Sequence, residues 1–320
     1  MERQTINPEI LIVREGTILF FDPLGMLELT CEEHPSVLPL SHPDLIRHII
    51  KKLRDSGCLL LTPTSQTSQL LLEKSGRPHI PTHNLDLPSA NFTYQSISEA
   101  TRITIEVAEG LPVGGIISPG ILIDLVKSLT FRESALFKEA IMIQMEALLK
   151  GGINYFFLQG FRDGEFLKQF IASEYIFNTP IAFTLSFNAI DRIPHVVRNL
   201  TETTPVIAAG VEIDLNLFEC LDIERIEDSA ARLNVIGIPM IIRLNLKYKL
   251  DKGIITPAFT QTQVQKIVDT LAQCGVRIIG FGHGTTLSFA EKLHKPEISA
   301  DTSRTPARVE KGQVPEHVPA

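Results

Sequence analysis

The apolar and polar positions of this chain repeat one order: an amphipathic stretch, a glycine, then a short run that is almost wholly apolar. Four copies stand out: "LRDSG" before "CLLLTPT", "LLKGG" before "INYFFLQG", "LNVIG" before "IPMIIRLN", and "LAQCG" before "VRIIGFG". Glycine just past a helix ends it at little cost because it accepts the left-handed conformation. A run apolar at consecutive positions is what a strand buried on both faces requires. The pattern predicts alternating strands and helices around a parallel sheet.

Four further runs read as strands: "TILFFD" (17–22), "VGGIIS" (113–118), "IAFTLSF" (181–187) and "VIAAGVEI" (206–213), which brings the number to eight. The stretches between them carry helical periodicity. After "LSHPD", the residues Leu45, Ile46, Ile49, Ile50 and Leu53 form one stripe, with Pro43 in the first turn and Lys51, Lys52 and Arg54 near the end. Thr260 and Gln263 have the spacing of a capping box ahead of Val264, Ile267, Val268 and Leu271. Eight buried strands alternating with helices predict a single-domain α/β fold, the (β/α)8 TIM barrel, whose usual size is about 250 residues. An open doubly wound sheet is the alternative. It loses support because "FFDPLGMLEL" carries no G-x-G-x-x-G for a dinucleotide.

The barrel is expected over 17–295, after a lead-in at 1–16. The polar, proline-bearing insertion at 74–92 would sit at the barrel mouth. From 296 to 320 the chain is polar, has four prolines and no periodicity, and reads as a disordered tail.

Composition narrows the function. With 44% apolar and 21% charged residues in 320, the chain can bury a large core. The net charge of -7 comes without a Lys/Arg cluster, which gives no footprint for nucleic acid or an anionic membrane. The N-terminus has no basic region followed by an apolar stretch, and no segment reaches about 18 apolar residues, so a cytoplasmic protein with small-molecule or protein partners is expected. Cys31, Cys58, Cys220 and Cys274 form no C-x-x-C pair and suit reduced, buried thiols.

In a barrel, the strand C-termini carry the chemistry. The polar groups there are Asp22, Thr62, Thr64, Ser118, Gln159, Ser186, Asn188, Glu212, Asp214, Asn245, Lys247 and His283. Such a set suits a polar metabolite, and it holds no nucleophile paired with a base. Asp22, Glu212 and His283 are the candidate catalytic residues; Asp22, Thr64, Gln159, Asn245 and Gly282 are the candidate substrate-binding ones. Asp22, ahead of Pro23, either shapes a turn or serves the site. Glu212 alternates with Val211 and Ile213, and either points into the barrel or forms an ion pair. His283 in "GFGHGTT" lies between glycines whose backbone N–H groups can converge, with Thr285 or Thr286 available to cap the next helix.

Taken in order, these segments resemble the homocysteine S-methyltransferase family, over about residues 17 to 293. "ILFFDPLGMLEL" is similar to the family's "ILDGAMGTEL", and "LSHPDLIRHIIKKLRDSGCLLLTPTSQTS" to "THPDLVREIHRAYLEAGADIITTNTFGAS". "CGVRIIGFGHGTT" is similar to "AGAxIIGGCCGTT". The resemblance implies a barrel that transfers a methyl group to a thiol or related acceptor, with a corrinoid or folate carrier as a possible donor.

In the family, three cysteine thiolates hold a zinc ion that ionises the substrate thiol. Here their positions fall on Gly282, His283 and Ile213, or Asp214 with a slip of one residue, so the resemblance implies a barrel without the zinc thiolates. A mixed site of Asp22, Glu212 and His283 would favour a harder metal. The acidic residue that receives the amino group of homocysteine becomes Gln159. The alternative function is a catalytically inactive barrel that binds a metabolite or a partner protein.

Overall fold

The computed structural model describes residues 17–23, 37–63, 90–118, 131–173, 178–215, 221–246, 248–251, 254–257, 259–282 and 285–293. The strands of the main sheet are β1 (Ile18–Phe21), β2 (Leu60–Leu61), β3 (Val113–Ile117), β4 (Tyr155–Phe161), β5 (Ile181–Ser186), β6 (Val206–Leu215), β7 (Met240–Leu246) and β10 (Ile278–Phe281). All eight are parallel, in the order β1-β10-β7-β6-β5-β4-β3-β2. The ends meet where Leu59 donates its N–H to the Leu19 carbonyl at 2.9 Å, beside a parallel bridge between Phe20 and Leu59. The result is a TIM barrel whose closing seam is its thinnest part. β2 is short because Pro63 cannot donate to a ladder. There the Thr62 hydroxyl accepts from the Ile116 N–H at 3.2 Å and extends the contact between β2 and β3.

The helices are α1 (Leu38–Ser41), α2 (Pro43–Asp55), α3 (Ala90–Ala108), α4 (Phe131–Gly151), α5 (Gly164–Ser173), α6 (Ile193–Thr201), α7 (Ile223–Val235), α8 (Gln261–Gln273) and α9 (Leu287–Lys292). The stripe expected on α2 is buried at Ile46, Ile49, Ile50 and Leu53, with Pro43 opening the helix. Glycines 57, 237 and 275, with φ of 66°, 74° and 84°, turn the chain out of α2, α7 and α8.

The capping box on α8 is present: Thr260 Oγ1 accepts from the Gln263 N–H at 3.3 Å, and Gln263 Oε1 accepts from the Thr260 N–H at 2.8 Å. Thr260→Ala is therefore expected to cost about 1 kcal/mol in chemical denaturation, and Thr260→Ser much less. An equal loss in both variants would show that the methyl group, rather than the cap, carries the effect.

Two features differ from the sequence reading. A hairpin, β8 (Tyr248–Asp251) paired antiparallel with β9 (Ile254–Pro257), stands between β7 and α8. Its strands of four residues are too short for periodicity to announce, although "DKG" separates the two runs. The expected 74–92 insertion ends early, because α3 begins at Ala90; its earlier residues lie outside the described ones, as do 1–16 and the 296–320 tail. No helix among the described residues is long and apolar enough to cross a membrane.

Alternation along the strands sorts the core into two parts. Residues such as Phe156, Leu158, Ile242 and Leu244 face the helices in the larger cluster. Phe20, Leu59, Leu61, Ile116, Tyr155, Phe157, Ala182, Ala208, Ile241 and Ile278 fill the barrel interior. The fit is tight. At Gly280 a Cβ would lie 1.8 Å from Cζ of Phe20, and at Gly114 it would lie 2.6 Å from the Tyr155 ring.

Candidate functional site at the strand C-termini

The inward series that is apolar in the barrel body becomes polar towards its C-terminal end. On β1, Phe20 leads to Asp22; on β4, Tyr155 and Phe157 lead to Gln159; on β5, Ala182 leads to Thr184. On β6 the series runs from Ala208 through Gly210 to Glu212 and Asp214, and on β7 from Ile241 to Arg243 and Asn245. The sheet register pairs Glu212 with Arg243 and Asp214 with Asn245.

Arg243 is the centre of this end. Its side chain is 4% exposed, and its Nη1 donates to Glu212 Oε2 at 2.9 Å. On the other side, Nη2 lies 3.5 Å from Oδ2 of Asp22, which is buried. A guanidinium presents several donors in a fixed fork, so one cation can serve two carboxylates in different directions. Burying these charges is tolerable because they are paired; any one alone would cost several kcal/mol.

Glu212 is held from the opposite side as well. Thr184 Oγ1 donates to Glu212 Oε1 at 2.9 Å and accepts from the Gly160 N–H at 3.3 Å. The β4–β5 register shifts between Leu158 and Phe161, and Gly160 there has φ of 74°, a conformation that favours glycine. A Cβ at Gly160 would lie 3.7 Å from Ser118 Oγ and 3.8 Å from Glu212 Oε1, so the bulge brings bare backbone against the carboxylate.

Beside this cluster, Asn245 Nδ2 donates to Asp214 Oδ1 at 2.9 Å on the exposed rim. Gly282 closes the arc. A Cβ there would meet Asn245 Oδ1 at 2.3 Å and Arg243 Nη2 at 2.5 Å, so the guanidinium and the amide occupy the space of a side chain at this position. Its carbonyl accepts from Thr285 Oγ1 at 2.7 Å, while Thr286 caps α9 through the Phe289 N–H at 3.2 Å. Of the two helix-capping threonines expected, Thr286 is the one used.

The structure thus brings together Asp22, Glu212, Asn245 and Gly282, with Arg243 as their common neighbour. Glu212 meets both expectations at once, pointing into the barrel and forming an ion pair. Gln159 continues the inward series of β4, 3% exposed, and its Oε1 is buried without a hydrogen-bond partner among the described residues. Thr64 and His283 lie outside the described residues. Ile213 faces the helices within the larger core cluster, so of the two registers considered for that position Asp214 is the one that reaches the mouth.

Sequence reasoning missed Arg243 and Thr184. The signal for the first was present: "MIIRLNL" has one charge inside an apolar run, and a buried charge demands partners. Thr184 gave no signal, because threonine is ordinary in strands.

Among the described residues, no group of three or more His, Cys, Asp or Glu side chains is disposed to hold a metal ion. The guanidinium of Arg243 lies between the Asp22 and Glu212 carboxylates that a mixed metal site would use. Cys58 and Cys274 are buried thiols before β2 and β10, at the far end of the barrel, where burial pushes the Cys274 thiol up from its ordinary range.

The fold is similar to that of the homocysteine methyltransferase MmuM from Escherichia coli, with a TM-score of 0.55 and 15% identity over 90% of this chain and 98% of that one. It is also similar to a methyltransferase from Methanosarcina mazei, with a TM-score of 0.51 and 12% identity over 88% of this chain and 93% of that one. By sequence, the chain matches no family model and no curated protein. At these identities the likeness is one of barrel fold.

Proposed function

We propose that this chain is a divergent methyl-transfer barrel of the homocysteine methyltransferase type, which holds a small polar acceptor at its strand C-termini and works without the family's zinc thiolates. The observation that carries the reading is the Asp22–Arg243–Glu212 cluster, a buried ionic site at the end where TIM barrels place their reacting groups. The reaction class comes from the Escherichia coli enzyme, nearly the whole length of which the fold covers.

Absence of zinc is supported by two features of the described site. Arg243 fills the space between the carboxylates, and a cysteine at position 282 would collide with Arg243 and Asn245. In this reading Thr184 and Arg243 orient the Glu212 carboxylate, while Gln159 and Asn245 offer hydrogen bonds to the acceptor. Methyl groups would come from a small-molecule donor or a corrinoid or folate carrier.

A second reading is favoured by the same cluster: both described carboxylates near Arg243 are engaged by it, which suits a barrel that binds without turnover. One assay separates the two. Purified protein supplied with labelled methyl donors and small thiol, amine and hydroxyl acceptors is expected to transfer label, with metal analysis showing less than one zinc per chain. No transfer to any acceptor leaves the binding module, and stoichiometric zinc would overturn the metal-independent reading.

A further inference from the structure

The polar atoms left unpartnered in the mouth point to a ligand class. Gln159 Oε1 and Asn245 Oδ1 are buried without hydrogen-bond partners among the described residues, and both are carbonyl oxygens that can only accept. They flank an arc whose other members are carboxylates. Glu212 is engaged through one lone pair of each oxygen, by Thr184 and by Arg243, which leaves further lone pairs. Asp214 stands on the exposed rim beside Asn245. The single described cation of the arc, Arg243, is shared between Glu212 and Asp22.

We infer that the mouth takes a primary amine in its ammonium form and discriminates against molecules that also carry a carboxylate. An ammonium presents three donors and one positive charge, which suits a mouth whose free capacity lies in carbonyl and carboxylate acceptors. A carboxylate brought to the same arc would meet Glu212 and Asp214 as like charges, and would have to draw Arg243 away from its two partners. The inference takes only the location of the site from the proposed function.

Calorimetry with n-butylamine, n-butanol, butyrate and 2-aminobutyrate tests it without requiring turnover. The amine is expected to bind about tenfold more tightly than the alcohol, the return on one charge-assisted hydrogen bond, and more tightly than either acid. Asn245→Asp, which keeps the side-chain shape and adds a charge, is expected to raise butylamine affinity several-fold, and to lower the melting temperature of the ligand-free protein because it sets a second carboxylate against Asp214 in place of a hydrogen bond. Glu212→Gln is expected to lower that affinity about tenfold. The inference is overturned if butyrate or 2-aminobutyrate binds as well as the amine, if Asn245→Asp weakens the amine, or if none of the four probes binds. Butylamine binding without any methyl transfer would remove the proposed reaction and leave this inference standing.

Discussion

Replacing Arg243 with methionine is expected to lower the unfolding free energy by about 3 to 5 kcal/mol, the range seen when one member of a buried ionic group is removed. The size follows from what is left behind. Asp22 and Glu212, 1% and 14% exposed at their side chains, would remain near one another with the cation between them gone. Lysine should rescue little, since a single ammonium on a flexible stem lacks the fork that serves two carboxylates.

Neutralising the partners should restore much of the loss: Arg243→Met combined with Asp22→Asn and Glu212→Gln is expected to be clearly more stable than Arg243→Met alone. Denaturant titration of the four proteins would decide it. A loss below about 1 kcal/mol for the single variant would mean that these charges are solvated, as exposed pairs are, and the candidate site would lose its centre.

On β10, in register with Arg243, Gly280→Ala is expected to cost about 3 kcal/mol, at the upper end of overpacking penalties. The added methyl would lie 1.8 Å from the Phe20 ring, which also packs edge-on against Phe157 with centroids 5.2 Å apart, so the ring has little room to retreat. Because the obstacle is one side chain, the penalty should shrink in a Phe20→Leu background. An undiminished penalty there would place the conflict in the β1–β10 backbone instead.

Much of this architecture was legible in the order of residues. The apolar runs located all eight barrel strands, since a strand covered on both faces has no polar alternation to hide it. Local chemistry fixed several helix ends, as with Thr260 and Gln263 or Pro43. Asp22, Glu212, Gln159 and Asn245 could be assigned to the mouth because a parallel barrel sends every strand C-terminus to one end. The hairpin after β7 escaped notice because its pairing is a contact between short segments rather than a period within one.

What the sequence determined by itself was the succession of elements and the end of the barrel that carries polar groups, both properties of neighbours along the chain. Which groups meet was decided by tertiary structure. The register sets Glu212 beside Arg243, and the β10–β7 pairing sets bare Gly282 against Arg243 and Asn245. Closure brings Asp22, 221 positions away in sequence, to the same guanidinium. A charge within an apolar strand announces that it needs partners, but only the folded sheet selects them, because the pairing depends on strand order and stagger, which leave no mark on the residues themselves.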